Sequence, residues 1–421
     1  MTNLSSEVLI VGGGAAGMSA ALAASVKAHV TLVDNNPRLG GQIWRAELGK
    51  VKSEEAKQLV IAIDSRRVDV INDAEIFGAS DKKTLLAETP AGRKEFHFAK
   101  LIIATGAREL FLPFPGWTLP GVLGAGGLQA LVKGGLSVEG KRIVVAGTGP
   151  LLLVVAEYFR IKGATVVAII EQASSAKINR FGLGLIGSPS KLVQAIRLKA
   201  KLRGIPYQTD SWVTSARSRN VHVSTNPSPT FEGITYEQNS RQYSLDCDYL
   251  ACGFHLVPNT ELAEVLGCTI ENSNVSVNDF QLTSVEDIFC AGEPTGIAGV
   301  ESSLIEGKIA GLAATGQLDA ARSEFTKRNK ARAFGHALNQ AFALRDELKS
   351  LSNVDTFVCR CEDVAFGRLA EFANFRDAKL QTRCGMGPCQ GRICGAATRF
   401  LFGWEPPNVR TPIFPVKMEN L

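Results

Sequence analysis

Two groups of residues in this chain have types and spacings that could do chemistry. Towards the C-terminus, Cys359-Arg-Cys361 is followed by Cys384 and by Cys389-Gln-Gly-Arg-Ile-Cys394, so five of the nine cysteines bunch in one segment. Thiolates ligate iron–sulfur clusters and zinc, and a set of four suits either. Cys-x-Cys sets two sulfurs close together, and a second pair at a helix start can supply the rest. Arg383, Arg392 and that helix N-terminus would favour the thiolate form. Near the other end, Gly12-x-Gly14-x-x-Gly17 stands after a short apolar run and before an Ala-rich one, with Asp34 further on. Such a turn binds a dinucleotide. The first glycine makes the tight turn, the second lets the backbone approach a pyrophosphate, and the third lets helix and strand pack closely. Helix N–H groups meet the phosphates, and the acid accepts from ribose hydroxyls.

A second turn reads Gly147-Thr-Gly149-Pro150-Leu151-Leu152. Leu152 stands where the third glycine would be. A side chain at the close-packing position predicts a displaced or rotated helix and weak NAD(P)H binding, although the phosphate end of the turn, Gly147 and Gly149, survives. Glu171, closing the next strand, would suit NAD over NADP. The competing reading is a working NAD(P)H site.

The elements that must position these residues follow from hydrophobic patterning. Glu7–Val11, the helix from Met18 and His29–Asp34 make one βαβ unit; Arg142–Ala146, the helix from Leu151 and Thr165–Glu171 make another. Leu101–Ala104, Asp248–Gly253 and Asp287–Gly292 are further strands, each running into a glycine turn. Pro113, Pro115, Gly116, Pro120 and Gly121 mark a domain crossing. Polar alternation over 205–247, including Val221-His222, predicts a β-meander. A helical stretch over 318–350 would carry Phe334, Leu338, Ala341, Phe342 and Leu348 on one face.

Composition narrows the class. The 421 residues are 45% hydrophobic and 21% charged, with a net charge of +5; the length gives a prior of about three domains. The charge is too mild and too scattered to argue for nucleic acid. The apolar run Ile143–Ala156 is shorter than the ~18 residues of a membrane span. Glu7 directly precedes the first apolar run, so no secretory signal is expected, and bunched cysteines read as metal binding before disulfide. No cysteine precedes Cys247, which argues against a disulfide reductase. Cys247, Cys252, Cys268 and Cys290 lie in apolar segments and are expected in the core. The five histidines have no metal spacing; His255 is the one to watch. No nucleophile, triad or acid–base pair is evident.

With these motifs in view, the chain resembles known families at two scales. Gly12–Gly17, Asp34, Gly40-Gly41-Gln42, Ala104-Thr105-Gly106 and Ala291-Gly292-Glu293 are similar to the turns of flavoproteins with two dinucleotide-binding domains, in the same order. The resemblance implies FAD held by Gly12, Gly14, Ala15, Ala16, Gly17, Asp34, Asn35, Gly40, Gly41, Gln42, Ile76, Ala104, Thr105, Gly106, Gly292 and Glu293, with the Glu293 acid reaching the ribityl chain. Val154 stands where that family usually has Glu in its second fingerprint. Gly385-Met-Gly387-Pro-Cys389-Gln-Gly391 resembles the bacterioferritin-associated-ferredoxin (BFD) type of [2Fe–2S] domain, implying Cys359, Cys361, Cys389 and Cys394 as ligands. Cys384 leaves that choice ambiguous, and zinc is the alternative metal. Pro115-Gly-Trp-Thr-Leu-Pro-Gly121 and Pro258-Asn-Thr-Glu-Leu262 extend the likeness along nearly the whole chain. It is to the α-type subunit of heteromeric dye-linked amino-acid dehydrogenases, the group that includes opine oxidase, D-hydroxyproline dehydrogenase and hydrogen cyanide synthase.

The resemblance implies an α/β fold. A Rossmann-like FAD domain (1–115 and 248–317) carries an inserted NAD(P)-like domain (116–247), a helical linker (318–350) and a small [2Fe–2S] domain (351–421). It implies an oxidoreductase subunit that carries electrons. A β-type FAD subunit would oxidise a primary or secondary amine such as D-hydroxyproline, proline or an opine. FMN would sit at the subunit interface, and a small ferredoxin-like γ subunit is a further partner. Cytoplasmic location is expected, with membrane association only through the complex. A self-sufficient NAD(P)H-dependent reductase feeding its own cluster is the alternative.

Overall fold

The computed structural model describes residues 3–45, 53–66, 68–185, 189–221, 228–405 and 409–421. His222 lies outside them. The chain forms two compact units, 1–108 with 256–336 and 408–421, and 109–255 with 337–407.

The first unit is built on a sheet whose strand order is Val68–Ile71, Val30–Val33, Asn3–Val11, Gly92–Ile103, Thr84–Thr89, Glu75–Asp81. The first four run parallel. Gly92–Ile103 is long enough to have two partners on its far edge. Its first half pairs antiparallel with Thr84–Thr89, and its last residues pair in parallel with Ile288–Cys290. The strands expected at 7–11, 29–34, 101–104 and 287–292 are all present, and the parallel ones line up their C-terminal ends. In a parallel sheet that edge is where ligands bind. The helix Ala15–Ala24 is buried on both sides because Val300–Ala314 lies across it. Only small residues allow this contact: a Cβ on Gly307 would stand 2.0 Å from the Ala16 carbonyl oxygen, and one on Gly311 2.3 Å from that of Ala20.

The second unit carries a parallel sheet ordered Tyr207–Gln208, Thr165–Glu171, Arg142–Gly147, Tyr249–Gly253, Val122–Gly124. The expected meander is the antiparallel sheet Ser211–Val221, Ser228–Gln238, Arg241–Asp246. The cysteine segment folds as a small apolar nucleus of Val358, Val364, Leu369, Phe375, Ala378 and Trp404 around Cys359, Cys384 and Cys394. It is tied to the rest of this unit by the Trp117 indole N–H donating to the Phe357 carbonyl (2.6 Å) and by Ser352 Oγ donating to that of Pro113 (2.9 Å).

The division differs from the sequence-based one in three ways. The crossings fall at 108/109 and 255/256, not at 115/116 and 247/248. The last residues leave the cysteine segment and join the first unit, where the Ile413 N–H donates to Phe77 (2.7 Å) and the Asn420 amide to Glu88 (2.6 Å). The stretch 318–350 is not one helix: Leu318–Arg322 and Phe325–Ala341 are helical, and a 3-10 turn spans Asp346–Ser350. The helix stops at Phe342, whose N–H still donates to the Leu338 carbonyl (3.0 Å) while its own carbonyl accepts from the Thr148 hydroxyl (3.0 Å). Among the described residues no helix is long and apolar enough to cross a membrane.

Candidate cofactor and metal sites

The first glycine turn links Asn3–Val11 to Ala15–Ala24. Gly12 has φ +110°, and a Cβ there would lie 2.2 Å from the Ala104 carbonyl oxygen, so only glycine fits between the two strand ends. A Cβ on Gly17 would fall 1.8 Å from the Gly12 carbonyl oxygen, which is the close helix–strand approach expected of the third glycine. Gly14 faces Gly41, whose φ is +57° and whose Cβ would stand 2.9 Å from the Gly14 Cα. Two glycines therefore leave a backbone-lined cradle at the helix N-terminus, where Ala15 and Ala16 begin the helix. Asp34 is buried, accepts from the Gly13 N–H, and accepts from the Asn36 backbone N–H (2.7 Å). Its carboxylate thus sits at the rim of the turn, next to Asn35. The Arg45 guanidinium donates to the Gln42 side chain (3.1 Å) on the following loop, and the Gly40 N–H to Gly13 (2.9 Å).

The other two expected turns lie in the same unit. Thr105 and Gly106 are held by Asn259. The Asn259 amide donates to the Thr105 carbonyl (2.9 Å), its backbone N–H to that of Gly106 (3.0 Å), and Thr105 Oγ1 donates to the Asn259 carbonyl (2.7 Å). Gly292 follows the strand Ile288–Cys290 with φ +82°, and burial pushes the adjacent Glu293 carboxyl up. Ile76 is different: its side chain is buried in the apolar cluster with Val11 and Val33, so only its backbone is available to a ligand.

Sequence reasoning missed Glu306. Its carboxylate, 2% exposed, accepts from the Gly292 N–H (2.9 Å), Thr295 Oγ1 (2.9 Å), Ser302 Oγ (3.0 Å) and Arg332 Nε (2.7 Å). It fixes the conformation of the third turn. A lone acid four residues after Ser302, on the small-residue face of a helix, was the available signal.

The second turn keeps its first two glycines. Gly147 has φ +139° and abuts the Gly253 carbonyl, as Gly12 abuts Ala104. Leu152 is fully buried, and the helix Leu151–Ile161 still packs on the sheet. The expected displacement is absorbed by the opposite strand, because Gly253 carries no side chain where Leu152 Cδ2 comes to rest. Val154 is 44% exposed on the outer face of that helix. Glu171 is fully buried and accepts from the Gly149 N–H (2.8 Å) and the Ala173 N–H (2.8 Å). Burial raises its pKa to about 7 against those hydrogen bonds.

The sulfurs of Cys359, Cys384 and Cys394 lie within 4.8 Å of one another. Cys361 lies against the backbone N–H and thiol of Cys389, with Gly387 packed on its Cβ. Cys384, ambiguous on sequence, thus belongs to the thiol group, and Cys361 and Cys389 form a second pair. Hydrogen bonds from Cys384 and Cys394 pull Cys359 far down towards the thiolate, with the Gly385 and Glu362 backbone groups helping. The Cys359 contact pushes Cys384 up to about 12, and the contacts with Cys359 and Cys384 push Cys394 up. Arg383, expected to favour thiolates, pairs instead with Glu362 (2.7 Å). Donors of this kind, several thiols with backbone N–H groups aimed at sulfur, fit a thiolate-bound metal centre. Cys247, Cys252, Cys268 and Cys290 are buried, their thiols raised by burial, as expected of core residues.

Residues 6–311 match the family model described as pyridine nucleotide-disulphide oxidoreductase. The chain belongs to that family. Among its relatives, hydrogen cyanide synthase subunit HcnB of Pseudomonas aeruginosa is 29% identical over 97% of this chain and 96% of its own length. The A subunit of opine oxidase from Rhizobium meliloti is 30% identical over 99% of this chain and 87% of its own. L-proline dehydrogenase from P. horikoshii shares the fold at a TM-score of 0.69 and 18% identity, over 100% of this chain and 80% of that one. Thioredoxin reductase of T. acidophilum shares it at 0.55 and 23%, over 74% and 98%.

This pyridine nucleotide-disulphide oxidoreductase is a flavin enzyme of the HcnB and opine oxidase type, and the first cradle fits the family's FAD. The cysteine nearest the flavin turns, Cys290, is fully buried with its thiol pushed well above the usual range, which makes it a poor nucleophile.

Proposed function

We propose that this chain is the electron-carrying subunit of a heteromeric amine or amino-acid dehydrogenase. A β-type flavoprotein partner would oxidise the amine, and the electrons would pass through FAD on this chain to a [2Fe–2S] centre. FAD supplies reversible two-electron and one-electron chemistry when bound. The residues of this chain bind and orient: the Gly12–Gly17 turn and Gly41 leave room for the pyrophosphate, Asp34 offers its carboxylate, and Glu306 and Asn259 hold the other two turns. Cys361 with Cys389, and Cys359 with Cys394, would supply one thiolate pair to each iron. Cys384 would donate its S–H to the second pair. The same reading includes FMN at a subunit interface, a small γ subunit, and a cytoplasmic location.

The observation that carries the reading is the thiol group with its second pair in a chain that also holds an intact flavin cradle. Such a chain can relay electrons. The names of the near-full-length relatives, each a subunit, support it.

The test is anaerobic spectroscopy and metal analysis on the purified chain, followed by assembly with an amine-oxidising flavoprotein subunit. A flavin band, about two irons per chain and dye reduction by an amino acid only after assembly support the proposal. Zinc in place of iron, or dye reduction by the isolated chain with an amino acid, overturns it.

A further inference from the structure

We infer that the segment Phe342–Arg345 fills the second dinucleotide turn and closes it to NAD(P)H. The inference concerns this turn alone and does not depend on the partner-fed reading. The family's name implies a pyridine nucleotide, and the residues around Gly149 do not fit one.

A dinucleotide at such a turn needs three things: free N–H groups and hydroxyls for the phosphates, an acid for the ribose, and open space above the second glycine. The space is filled. The Phe342 ring lies 3.8 Å from where a Cβ of Gly149 would be, and Phe342 is 5% exposed. At the first turn the equivalent Gly14 faces only another glycine, Gly41. A donor is engaged as well: the Thr148 hydroxyl donates to the Phe342 carbonyl (3.0 Å). Pro150 has no N–H to offer.

The segment is fastened at several points. Gln172, which follows the ribose-type acid, donates through Nε2 to Thr148 Oγ1 (2.8 Å) and to the Ala343 carbonyl (3.1 Å). Its Oε1 accepts from the Arg345 N–H (3.1 Å). Arg345 then pairs with Asp210 (3.0 Å) and stacks on Trp212, 4.7 Å from the ring centre. Phe181 meets the Phe342 ring edge-on at 5.6 Å. A single glutamine amide is thereby satisfied by the turn on one side and by the segment on the other. These contacts hold the segment that a ligand entering above Gly149 would have to lift. Occupancy lowers apparent affinity by the fraction of molecules in which the segment is lifted.

The segment also begins the connection to the cysteine cluster. The second domain therefore serves as the seat of that connection, in place of a hydride-donor site.

The experiment compares the full-length flavoprotein with its Phe342→Ser/Arg345→Ala variant by titration with NADH and NADPH, with flavin content as the folding control. The wild type is expected not to saturate at about millimolar nucleotide. The variant is expected to gain at least about tenfold in affinity. Micromolar binding by the wild type overturns the inference, and so does a folded variant with no gain. Hydrogen exchange on the wild type decides the matter without a variant. The Arg345 amide should be protected, and exchange at the rate of an unstructured chain overturns the inference.

Discussion

Leu152 and Gly253 have exchanged bulk relative to the corresponding pair at the first turn. There, glycine on the helix (Gly17) faces alanine on the strand (Ala104). Here, leucine on the helix faces glycine on the strand, with Leu152 Cδ2 3.1 Å from the position of a Gly253 Cβ. The glycine that permits the helix–strand contact has moved from the helix to the strand, although the fingerprint is broken. This is why the second domain keeps a regular parallel sheet and a packed helix with Leu152 fully buried.

Adding bulk at Gly253 should therefore be costly. Gly253→Val would meet Leu152 and Ala125, 3.4 Å away. Overpacking of this kind costs about 1–3 kcal/mol. Urea unfolding followed by Trp212 fluorescence should register the loss, while flavin content stays unchanged.

The Gly41 position controls the flavin cradle. Its φ of +57° and the 2.9 Å approach to Gly14 make Gly41→Ala both strained and obstructive. The purified variant should fold but lose most of its flavin, read as the ratio of visible to ultraviolet absorbance. Full retention of FAD would show that the cofactor does not pass over this glycine.

Glu171 should make stability fall as pH rises. Its folded pKa of about 7 lies above the ordinary 4.5. The folded state therefore holds the proton more tightly than the unfolded state. That stabilising contribution is fully present below about pH 4.5 and is lost as pH rises through about 7, by as much as about 3 kcal/mol. Thermal unfolding midpoints between pH 5 and 8 should show the decline, and Glu171→Gln should flatten it.

The cysteines should separate by role. Cys361→Ser and Cys389→Ser should each abolish the metal centre. Cys384→Ser should keep the iron and alter the low-temperature electron paramagnetic resonance spectrum or the reduction potential, since it replaces a weak S–H donor to sulfur with a stronger O–H donor. Loss of iron in Cys384→Ser with retention in Cys389→Ser would reverse their assignments.

Much of this protein can be read from local sequence because its glycine turns are local structures. The strand–turn–helix at Gly12–Gly17 needs only a positive φ and missing Cβ atoms, and both follow from residue type. The same holds for the βαβ units and for the bunching of cysteines. Tertiary structure alone decided what lies across from each residue. Nothing near Leu152 in the chain announces Gly253, about a hundred residues away, and nothing near Gly149 announces Phe342. The helical period ran past Phe342 to Leu348, yet the helix stops at Phe342, where the distant Thr148 hydroxyl takes its carbonyl and Phe181 meets its ring. Spacing left the role of Cys384 ambiguous, and the fold brought its sulfur beside Cys359 and Cys394. Backbone conformation is set over a few residues, whereas close packing and the satisfaction of buried polar groups are settled only between segments that the fold brings together.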